Sequence, residues 1–91
     1  MLIAKVIGTV VATRKNSNLI GSKFMIVETL PVMKEDARRL VAVDQAGAGI
    51  DDLVLVALGS AARVQTGCQD ASIDAAIVGI VDNPDEIFVK E

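Results

Sequence analysis

The chain contains no histidine, no tryptophan and no tyrosine, and its only cysteine is Cys68. Without histidine, the commonest general base and metal ligand is missing. One cysteine cannot close an internal disulfide, which fits a reducing cytoplasm. Only carboxylates remain as metal ligands, and Asp51/Asp52 and Asp82/Asp85/Glu86 lack the regular spacing of a hard-cation loop. They read as solvated turn residues, so neither a metal nor a cofactor is expected. No apolar run approaches the ~18 residues that span a bilayer. The N-terminus also lacks the basic and long apolar regions of a secretory signal, so no membrane partner is expected. The net charge is −3, without the basic excess that releases counterions from phosphates. The only aromatics, Phe24 and Phe88, give little platform for stacking bases. Nucleic acid is therefore not an expected partner.

What the sequence has in quantity is apolar side chains, 52% of its 91 residues. They fall in short runs with strand periodicity, separated by turns, which points to one all-β domain over residues 1–91. The first run is Leu2–Thr13. Its even positions, Leu2, Ala4, Val6, Gly8, Val10 and Ala12, form an apolar face, and Gly8 suggests a bend or bulge. Its odd positions are mixed but include Ile3, Ile7 and Val11. Arg14–Ser22 is a polar turn region. A second strand covers about Lys23–Leu30 and stops at Pro31, which has no ladder donor. Val32–Arg38 is a charged excursion. A third strand is expected over Arg39–Asp44, a fourth over Leu53–Leu58, a fifth over Ala75–Asp82 and a short last one over Ile87–Lys90. Ser60 sits where an N-cap belongs, so Ala61–Gln65 is expected to form a short helical stretch between strands 4 and 5. The class is a small five-stranded Greek-key barrel related to the OB-fold.

Leu53–Leu58 and Ala75–Val81 are apolar on both faces. Each buried apolar side chain contributes ~1.5–3 kcal/mol, so leaving Ile3, Ile7 and Val11 wet would forfeit several kcal/mol and invite aggregation. A closed homo-oligomer resolves this.

The candidate chemical motifs are weak. Gly47-Ala48-Gly49-Ile50-Asp51-Asp52 has Asp52 where a dinucleotide fingerprint needs its third glycine, and a strand comes next where a helix should. It reads as a barrel turn. Ser60 has no histidine base, no nearby lysine and Ala62 where a nucleophile elbow needs glycine. Cys68 lies in a polar loop, and with no histidine in the chain it reads as an ordinary thiol. No enzyme activity is expected.

Several blocks together resemble the vertex proteins of bacterial microcompartment shells, the pentamers of carboxysomes and of ethanolamine- and propanediol-utilisation compartments. They are Ile3–Thr13, Leu40–Asp44 with Gly47-Ala48-Gly49 just after it, Val54-Leu55-Val56, Gly59-Ser60-Ala61-Ala62-Arg63 and Asp74–Asp82. Leu53 departs from the pattern, where a bulky aromatic is common, as does the variable loop Pro31–Arg38. The resemblance implies a homopentamer capping the five-fold corners of a metabolosome or carboxysome shell in the cytoplasm, with hexameric shell proteins as partners. Gly59, Ser60, Ala61 and Arg63 are the first candidates for a subunit or axial contact, because small residues permit close approach and arginine bonds carboxylates bidentately. Ile3, Ile7 and Val11 are the second candidate interface. The alternative reading is an oligomeric OB-like module binding nucleic acid or a small ligand.

Overall fold

Five strands close into a barrel in a computed structural model that describes residues 1–11, 23–34, 38–59, 62 and 74–90. They are β1 (Leu2–Val10), β2 (Phe24–Thr29), β3 (Arg39–Asp44), β4 (Leu53–Leu58) and β5 (Ala75–Val81), ordered β1-β2-β3-β5-β4 around the wall. β1 pairs antiparallel with both β2 and β4, which makes the first strand the closing stave. The one parallel contact joins β3 to β5 and is short, with Val43 opposite Ala76 and Asp44 opposite Ile77. This is the all-β barrel the turn spacing implied.

The interior is filled by Leu2, Ala4, Val6, Met25, Val27, Val54, Val56 and Ile77, all nearly or fully excluded from solvent. Medium-sized β-branched side chains suit such a narrow lumen. A second cluster lies on the outside of the wall, where Val43, Ala57 and Ala76 are buried together with Ala62. Part of the double-faced strand surface is thus covered within the chain. Of the segment expected to be helical, Ala61–Gln65, Ala62 is described and is helical. Ser60, Ala61 and Arg63 lie outside the described residues, as do Cys68 and the expected Arg14–Ser22 turn region.

Two local expectations are corrected and one gains detail. The alternation of β1 does not run through its length. Val6 faces Val27 and Gly8 faces the next residue, Ile26, so Ile7 is an extra residue in a bulge. A bulge flips the facing of every residue beyond it. Gly8 and Val10 consequently share the outer face with Ile26 and Phe24, instead of continuing the core face of Leu2, Ala4 and Val6. The charged excursion after Pro31 begins with a 3₁₀ turn, Pro31–Met33. Finally, Ile87–Lys90 is not a strand. The chain turns through a second 3₁₀ segment, Pro84–Glu86, capped by Asn83, whose side-chain oxygen accepts from Asp85 N–H at 2.9 Å. Because β1 already pairs with β4, the closed barrel leaves no vacant edge beside β4 for that tail to join.

Candidate functional site

Ile3 stands on the outer wall opposite Leu55 of β4, and both are half-buried. Ile7, in the bulge, is also half-buried, whereas Val11 lies past the end of β1 and is 87% exposed. Gly79 continues this wall. A methyl group there would meet Leu55 Cδ1 at 3.4 Å, so the glycine lets Leu55 lie flat across β5. Ile3, Leu55 and Gly79 make a smooth apolar strip that crosses three strands.

Gly59 ends β4. Its φ of +62° is in the left-handed region, and its N–H donates to the Asp74 carbonyl at 2.8 Å. Glycine enters that region without the Cβ clash that penalises other residues. The chain therefore leaves the wall sharply while staying tied to the start of β5. Because β1 and β4 are antiparallel with Leu2 opposite Val56, Gly59 lies at the Leu2 end of the barrel and Val11 at the opposite end. The structure brings Ile3 towards the Gly59 end and separates both from Val11. Among the described candidate contacts, Ile3 and Gly59 thus lie towards one end of the barrel and Val11 at the other.

One polar arrangement escaped the sequence reading. The Asp44 carboxylate, with its side chain only 2% exposed, accepts from the N–H groups of Ala46 at 3.0 Å, Gly47 at 3.1 Å and Ala48 at 2.9 Å. Lys23 Nζ stands 3.6 Å from Asp44 Oδ2 and donates to the Ala48 carbonyl at 3.1 Å. Gly47 takes a φ of +78° inside this fan, and Ala48 is drawn into the core. The available signal was an Asp at a strand end with Gly three residues later, a side-chain-to-backbone turn pattern. Asp52 is likewise not merely solvated, since it accepts from Gly49 N–H at 2.8 Å. Val6 then donates to Asp52 O at 2.9 Å and accepts from Asp51 N–H at 2.8 Å, which pins the glycine turn to β1. The glycine-rich segment is thus a fastened barrel turn.

At the foot of β2, the buried Thr29 accepts from Arg38 N–H through Oγ1 at 2.9 Å and fastens the Pro31–Arg38 excursion. A groove of about 550 Å³ runs beside it, lined by residues that include Lys34, Arg38 and Arg39, with Arg39 Nε held by Glu28 at 2.8 Å. Among the described residues, no group of three or more His, Cys, Asp or Glu side chains converges as a metal site would. No helix among them is long and apolar enough to cross a membrane.

The family model described as "Ethanolamine utilisation protein EutN/carboxysome" matches residues 1–82. The bacterial microcompartment shell vertex protein GrpN of Rhodospirillum rubrum (strain F11) is 46% identical over 88 residues, covering 96% of this chain and 99% of GrpN. A solved structure of the carboxysome subunit CcmL superposes with a TM-score of 0.82 at 48% identity, over 90% of this chain and 86% of that one. A structure described as the GrpN pentameric microcompartment shell protein from Rhodospirillum rubrum gives 0.76 at 45% identity, over 91% and 94%. With the barrel, its strand order and these sequence identities in agreement, the chain belongs to the EutN/CcmL family.

Proposed function

We infer that this chain is a structural subunit of a bacterial microcompartment shell, five copies of which form a ring that caps a five-fold vertex. The observation that carries the reading is the likeness, over nearly the full length of both chains, to a shell protein whose solved structure is pentameric. Physical support comes from the outer strip of Ile3, Leu55 and Gly79, an apolar wall only half-buried in the single chain.

The vertex domain, residues 1–91, acts as a wedge. A flat sheet of six-fold units cannot close, and five-fold units at the corners supply the curvature. Hexameric shell proteins are the neighbours this geometry calls for. The role is mechanical, with no catalytic step. Within the ring, Ile3 and Ile7 lie against a neighbouring subunit, and Gly59, Ser60, Ala61 and Arg63 supply a second subunit or axial contact.

Native mass spectrometry at low micromolar concentration tests the ring, and a dominant five-subunit species is expected. Ile3→Glu places a charge on the strip and should convert the ring to monomers of unchanged secondary structure. A wild-type monomer would overturn the reading. Co-expression with a hexameric shell protein tests the vertex role. Closed shells should form only when this chain is present.

A further inference from the structure

We draw no further inference here: the strongest candidate, the exposed apolar patch of Phe88 and Val89 on the tail after the Pro84–Glu86 turn, carries nothing, because nothing in the structure shows what covers it.

Discussion

Replacing Asp44 tests whether one carboxylate organises the whole Gln45–Gly49 turn. In Asp44→Ala, three N–H groups lose their acceptor. Gly47 N–H is exposed and finds water, but those of Ala46 and Ala48 are partly buried. A hydrogen bond to a charged group contributes ~1.5–3 kcal/mol, so the two partly buried ones together lose about 3–6 kcal/mol, a large share of the ~5–15 kcal/mol that holds a domain together. At 91 residues each kcal/mol moves the midpoint by ~4–8 °C, so the variant should melt at least ~12 °C lower. Asp44→Asn keeps one oxygen for Ala46 and Gly47 but turns an amide donor towards Ala48 N–H and the Lys23 ammonium. It should fall between the alanine variant and the parent. Lys23→Met removes a half-exposed ammonium 3.6 Å away and should cost less than ~1 kcal/mol. The assay is urea unfolding at one fixed protein concentration, because self-association adds to apparent stability. If Asp44→Ala lies within ~1 kcal/mol of the parent, or Lys23→Met costs as much as Asp44→Ala, the fan of backbone donors is not what holds the turn.

Three further outcomes are expected. Thr29→Val keeps the shape but leaves Arg38 N–H without the hydroxyl it bonds at 2.9 Å, costing ~1–3 kcal/mol, and Thr29→Ser should recover most of it; equal losses for both would assign the effect to packing. Ile77→Ala empties a fully buried site and should lower stability by ~2–5 kcal/mol in chemical denaturation. Gly59→Val meets open space but a φ of +62°, so the cost is backbone strain of at least ~1–2 kcal/mol, read as a lower melting temperature; an unchanged value would mean the turn relaxes freely.

Parts of the molecule were readable in the sequence because local chemistry decided them. β3 and β4 occupy Arg39–Asp44 and Leu53–Leu58 as expected, since Gly47, Gly49 and Gly59 punctuate apolar runs too short for helices. The order of sequence blocks pointed to the family. Gly8 signalled a bend or bulge, and the register shift does fall between Val6 and Gly8, but the phase flip beyond it was not legible, because it is set by the partner strand and Ile26 lies far away in sequence. Asp44 read as an ordinary strand end because its burial depends on Lys23 and on Ala48 turning inward. Ile87–Lys90 has strand-forming residues, but propensity carries no information that the barrel is already closed. Of the candidate contact residues, Ile3, Ile7, Val11 and Gly59 are described, and only Ile3 and Ile7 lie on the half-buried outer wall. Their role in the ring rests on native mass spectrometry of the parent protein and of Ile3→Glu.

The double pairing of β1 bears on the order in which the protein is made. Leu2 finds its β4 partner only at Val56, and at ~5–20 residues per second a ribosome needs several seconds to supply it. Until then β1 can pair with β2 alone, and its other margin is an adhesive surface. The parallel β3–β5 contact waits longer still, for the last strand to emerge, and such non-local pairings are slow to form. The outer wall thus does not exist on the nascent chain. The proposed ring must therefore wait for the barrel to close, and the interval before closure is when a growing pool of this protein is most exposed to aggregation.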